Sequence, residues 1–139
     1  MGRRVVLATV VRAPDGVLPD TVLPRGPLEG QTVIEALQTD ARDSLYALRY
    51  PFESRDVPLD YEVLVGDAAH EMVRRSRGTR MIVVGTHGRR GLKRILFGSV
   101  AEEILRRADV PVLTVRTEGS DSHPTAVQDA VAALGHRAE

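Results

Sequence analysis

The 139-residue chain has no cysteine. Disulfide scaffolds, thiolate nucleophiles, zinc fingers and iron–sulfur ligation are all excluded by that one absence. A cysteine-free chain fits a reducing compartment, and a cytoplasmic location is the expectation. Aromatic residues make up only 4% of the sequence, which leaves little material for stacking on nucleic-acid bases. An excess of charge of one sign is missing too, because nineteen basic residues balance nineteen acidic ones. Whole-molecule attraction to nucleic acid or to anionic lipid is therefore not expected, and any anion site has to be local. Long apolar runs are also lacking. The N-terminal run Val5–Val11 is too short for a signal sequence with its cleavage site and far too short to span a bilayer, so no membrane partner is expected.

What remains is enough for a folded core. The apolar content is 42%, and a chain of this length buries roughly two thirds of its unfolded surface as one domain. Lys93 is the only lysine, the other basic residues all being arginine, a bias that reads as genomic composition.

Val5–Val11 is an unbroken β-branched and aliphatic run and predicts an interior strand covered on both faces. Residues 12–28 are rich in proline and glycine, show no period, and predict a long loop. From Glu29 onward Val33, Ile34, Leu37, Ala41, Leu45 and Leu48 recur at helical spacing, which predicts an amphipathic helix ending before Pro51. Leu59, Tyr61, Val63 and Val65 alternate with Asp60 and Glu62, as in a strand near an edge with one wet face. Gly66-Asp67 stops that strand and caps a helix running to Arg77, with Ala68, Met72 and Val73 on its buried side. Met81–Val84 predicts a second buried strand ended by Gly85. Ser99 and Glu102 have the spacing of a capping box, ahead of a helix with Val100, Ile104, Leu105 and Ala108 on one face. Val110–Val115 predicts the last strand. Pro124 opens a final helix bearing Val127, Val131 and Leu134 and stopping near Gly135.

Strand and helix thus alternate four times. That order folds as a doubly wound α/β domain, a parallel sheet of four or five strands with helices on both faces. Ligands of such sheets bind at the carboxyl ends of the strands, so the chemistry is sought after Val84. Gly85, Gly88 and Gly91 fall within seven residues and let the backbone approach a ligand closely. The stretch leads to Gly98-Ser99 at a helix N-terminus, where free amides and the helix dipole favour an anion. Between Arg89 and Arg107 stand Arg89, Arg90, Lys93, Arg94, Arg106 and Arg107 against Glu102 and Glu103, a local excess of cations. Charge-assisted hydrogen bonds to phosphate contribute roughly 1.5–3 kcal/mol each, enough for about micromolar binding from a few amides and one cation.

The pattern Gly85-x-x-Gly88, nine residues, Gly98-Ser99 resembles the nucleotide-binding signature of the universal stress protein family. The similarity runs over about residues 29–116 and takes in Gly66-Asp67 and the strand Val110-Pro111-Val112-Leu113. It implies a flavodoxin-like fold of the adenine nucleotide alpha hydrolase type over residues 1–116, with residues 117–139 as a C-terminal loop and helix. It also implies a stress-response protein that binds ATP or a related adenine nucleotide, compatible with magnesium, and that dimerises through Val110–Val115. Val84 and Gly85 would border the adenosine, with Thr9 and Val10 near it. His87, Gly88, Arg89 and Arg90 would wrap the phosphates, and Gly98, Ser99 and Val100 would donate to them.

The chain departs from the family at its N-terminal part. Members have five strands, the first ending in an Asp, and four are counted here. If Val5–Val11 is the first strand, Val10 stands where the carboxylate is usual; if it is the second, the central strand and its helix are absent. The first placement avoids a gap with unpaired ladder groups.

Other chemistries lack their residues. Lys93 does not follow the glycine of a phosphate-binding P-loop, G-x-G-x-x-G does not occur, and Ser99 lies outside a G-x-S-x-G elbow. No metal-ligand spacing is found, and no carboxylate inside the glycine loop serves magnesium-dependent phosphoryl transfer. A non-enzyme is expected, with at most slow incidental ATP hydrolysis. The alternative function is a dimeric interaction module that has kept the fold and lost the nucleotide.

Overall fold

The structure, a computed structural model, describes residues 4–24, 26–49, 57–85, 98–116 and the single positions 127, 130 and 134. In chain order the elements are β1 (Val5–Val11), α1 (Val33–Ala47), β2 (Leu59–Val65), α2 (Ala68–Ser76), β3 (Ile82–Gly85), α3 (Ser99–Arg107) and β4 (Val112–Val115). They fall into two compact units, residues 1–66 with 124–139, and residues 67–123.

In the first unit β1 and β2 pair in parallel, Val5 opposite Leu59 through Val11 opposite Val65. The pair is sealed at its ends by Val5 N–H donating to the Pro58 carbonyl and Gly66 N–H to the Val11 carbonyl, both at 3.0 Å. Both strands keep the bounds read from the sequence, but β1 is half-buried rather than fully interior. Its one bonded neighbour among the described residues is β2.

α1 lies on this pair, and the stacked rings of Tyr46 and Tyr61, 5.1 Å between centroids, join helix to strand. The helix starts at Val33, later than the apolar spacing predicts, because Gly30 adopts φ +85 and closes a turn that helical backbone cannot enter. The long loop does not hang free. Leu23, only 2% exposed, packs from it against Val33, Ala36 and Val127, with Ala13, Val17, Leu28, Leu37 and Leu134 around them. Val127, Ala130 and Leu134 are helical, in agreement with the predicted terminal helix; Val131 lies outside the described residues.

In the second unit β3 and β4 pair in parallel, Ile82 opposite Val112 through Gly85 opposite Val115. Ile82 packs with Ala69 of α2 and Ile104 of α3, and Met72, Val73, Val84, Ala108, Val110 and Val112 surround that core. On α2 it is Ala69 rather than Ala68 that is buried. On α3 the buried face is Ala101 and Ile104, whereas Val100 and Leu105 are 41% and 42% exposed. The face is thus rotated by about one residue from the predicted one, since the helix register is set by Ala101 entering the core. β4 is shorter than the predicted 110–115 strand. Val83, Leu113 and Val115 point to the opposite side of β3–β4 and are exposed.

Candidate functional site

The parallel pairing of β3 and β4 requires the intervening α3 to run back along them. Its N-terminus therefore lies at the carboxyl end of β3. This brings Val84 and Gly85 to the same end of the second unit as Gly98, Ser99 and Val100. His87, Gly88, Arg89 and Arg90 lie between them, outside the described residues, as do Lys93 and Arg94. Thr9 and Val10 are half-buried near the carboxyl end of β1, in the first unit.

Ser99 does not cap α3. Gly98 is the N-cap, with φ −70 and ψ 153, and no side chain accepts from the first turn. Ser99 already has helical backbone as the first residue of the helix, so its hydroxyl is not placed to accept from the first-turn amides, and the expected capping box with Glu102 is absent. Glu102 N–H donates instead to the Gly98 carbonyl at 3.0 Å. The N–H groups of Ser99, Val100 and Ala101 are left without a partner among the described residues, as the first donors of any helix are unless something outside it accepts from them. Gly85 is similar. Ile82 donates to the Pro111 carbonyl, so Ile82 and Val84 face β4 and the peptide groups of Gly85 point away from it.

The other two helices dispose of these donors. At α1, Val33 N–H reaches the Thr21 carbonyl at 2.9 Å and Ile34 N–H the Pro19 carbonyl at 3.0 Å, while Glu35 N–H donates to Thr32 Oγ1. At α2 the Asp67 carboxylate accepts from His70 N–H at 2.9 Å, which places a negative charge where an anion would otherwise sit. Only α3, among the described helices, opens on a residue with neither side chain nor charge.

The cation cluster is smaller than the sequence suggests. Arg106 and Arg107 occupy the last turn of α3, about 10 Å along the axis from Ser99. Arg107 is paired with Glu103 at 2.6 Å. Both serve the negative end of the helix dipole rather than its start. No group of three or more His, Asp or Glu side chains able to hold a metal occurs among the described residues. No helix among them is long and apolar enough to cross a membrane.

The fold class is α/β, doubly wound with parallel strands. It is shared with the solved structure of protein MJ0577, which superposes with a TM-score of 0.66 over 86% of this chain and 80% of that one, at 21% identity. The family follows from the sequence: the model of the universal stress protein family matches residues 2–116, and the chain belongs to that family. Universal stress protein MJ0531 of Methanocaldococcus jannaschii is 36% identical over 94 residues, 65% of this chain and 55% of that protein. Universal stress protein Rv2005c of Mycobacterium tuberculosis is 41% identical over 68 residues, 49% of this chain and 22% of that protein. The chain thus spans about half the length, or less, of these relatives.

Proposed function

We propose that residues 1–116 form a universal stress protein domain that binds ATP or a related adenine nucleotide, its phosphates resting on the N-terminus of α3. The observation that carries this reading is the set of amides of Ser99, Val100 and Ala101, open at an N-cap glycine while the starts of α1 and α2 are occupied. Three such amides and the helix dipole suit a phosphate. Gly85 supplies a further outward peptide group at the same end, and the glycine spacing shared with the family supports the reading. Val84, Gly85, His87, Gly88, Arg89, Arg90, Gly98, Ser99 and Val100 are the proposed contacts, with Thr9 and Val10 toward the adenosine. Magnesium would accompany the nucleotide. None of these residues is proposed as catalytic, and the protein works in the cytoplasm as a binding component of a stress response.

The same reading includes a homodimer through the 110–115 segment. Leu113 and Val115 are exposed there, and the peptide groups of Val112 and Thr114 point away from β3. Titration calorimetry with ATP, ADP and AMP tests the nucleotide site directly. Binding near micromolar is expected, with a rise in melting temperature corresponding to about 2.7 kcal/mol at a hundredfold excess over Kd. No heat and no thermal shift at millimolar nucleotide would leave the interaction module as the surviving function, a reading that Val10 favours because a carboxylate is usual there.

A further inference from the structure

The peptide groups of β1 alternate in direction. Val5 donates to the Pro58 carbonyl and the Val11 carbonyl accepts from Gly66, so Val5, Leu7, Thr9 and Val11 face β2. The N–H and C=O groups of Val6, Ala8 and Val10 therefore point to the other edge, where no strand is bonded among the described residues. That edge carries none of the usual protections. β2 has Asp60 and Glu62 within it, whereas β1 has no charge, proline or bulge over its seven residues. Its sequence, VVLATVV, is that of a strand bonded on both sides.

The edge is also nearly symmetric about Ala8. Reversed on itself, it sets Val5 against Val11, Val6 against Val10, Leu7 against Thr9 and Ala8 against Ala8. An isologous contact across a twofold axis needs that self-complementarity. The parity of the backbone fits as well. In an antiparallel ladder every second opposed pair exchanges hydrogen bonds, and with Ala8 at the centre the exchanging pairs are those whose groups point outward. About six hydrogen bonds result. The flanking residues that would meet are Arg4 and Arg12, and each already has a carboxylate, Arg4 with Asp60 at 2.9 Å and Arg12 with Asp15 at 3.4 Å.

From this we propose that β1 pairs antiparallel with the β1 of a second copy of the chain, in the register centred on Ala8. The contact is separate from the one proposed at β4 and does not depend on a nucleotide.

Hydrogen exchange of the unaltered protein reads the edge directly. The amides of Val6, Ala8 and Val10 are expected to be slow at high protein concentration and to become fast on dilution, while Leu7 and Thr9, bonded to β2, change far less. Ala8→Cys, the chain's only thiol, should form a reducible covalent dimer, since opposed hydrogen-bonded residues lie about 5.5 Å apart, within disulfide reach. Val5→Cys should not, because its opposite number is residue 11. Ala8→Pro removes only an outward N–H and should weaken this self-association by roughly tenfold or more, the loss of two central hydrogen bonds. Thr114→Pro, aimed at β4, should leave the Ala8→Cys cross-link intact. Outward amides slow at every concentration would mean that the edge is filled within one chain, and amides fast at every concentration would mean that it is open; either result overturns the proposal. So does an Ala8→Cys protein that stays monomeric under oxidation.

Discussion

Thr32 and Glu35 cap each other at the start of α1. The Glu35 carboxylate accepts from the Thr32 N–H and hydroxyl, both at 2.8 Å, and the Glu35 N–H donates to Thr32 Oγ1 at 3.3 Å. These contacts, the backbone N–H first, hold the Glu35 carboxyl below its ordinary value of 4.5. A carboxyl whose value is lowered by folding adds stability above its unfolded value and loses it as pH falls through the folded one. Glu35→Gln is therefore expected to be less stable than the parent at pH 7, with the gap closing below about pH 4.5. Thermal melts of both proteins across pH 3–8 check this, and a gap that widens in acid would contradict it. Thr32→Ala should cost about 1 kcal/mol.

At α3 the same spacing produces no box, and this separates helix stability from ligand binding. Gly98 sits at the N-cap with φ −70 and ψ 153, backbone that aspartate adopts readily as an N-cap. Gly98→Asp should hold or raise the melting temperature, by a few tenths of a kcal/mol, through a new side-chain acceptor. It should also weaken nucleotide binding by at least about tenfold, since the carboxylate takes the amides and repels phosphate. Paired melting and calorimetry decide it. Loss of stability with unchanged affinity would remove the N-terminus of α3 from the proposed site.

The two S/T-x-x-E sequences show where the sequence is legible and where it is not. Both β1 and β2 can be bounded from it because valine runs and period-2 alternation are local signals. Which serine or threonine caps a helix depends on the residue before it. Gly30 at φ +85 and the backbone acceptors Pro19 and Thr21 put Thr32 at a helix start. Gly98 takes that place from Ser99. The arginine cluster misleads for a related reason: adjacency in sequence counts Arg106 and Arg107 with the glycine loop, and a helix carries them to its far end. The occupied amides of α1 depend on a loop folding back across the helix, which no local pattern announces.

Gly78 illustrates a constraint set by backbone alone. Ser76, Arg77, Gly78 and Thr79 make a type II turn after α2, with Arg77 at φ −58, ψ 126, Gly78 at φ +80, and Thr79 N–H donating to the Ser76 carbonyl at 2.9 Å. An added Cβ would meet nothing within 4 Å. The cost of Gly78→Ala is then conformational only, about 1 kcal/mol. Gly78→Asn, which tolerates positive φ, should recover much of it in chemical denaturation. Equal losses for both would point to a steric cause instead.

Ile104 is 1% exposed and ties α3 to Ala69 and Ile82, so it fixes where the open amides of Ser99 and Val100 stand relative to β3. Ile104→Ala removes three carbons from that contact and should cost about 2–5 kcal/mol, depending on how far α2 and α3 close over the cavity. Ile104→Val should cost about 0.5–1.5 kcal/mol. Because the core holds the helix rather than touching the ligand, Ile104→Val at a temperature well below its melting point is expected to bind nucleotide within about threefold of the parent, under 1 kcal/mol. Denaturant melts give the first quantity and calorimetry the second. A large loss of affinity in Ile104→Val with little loss of stability would show that the start of α3 is positioned more delicately than a single methyl group should allow.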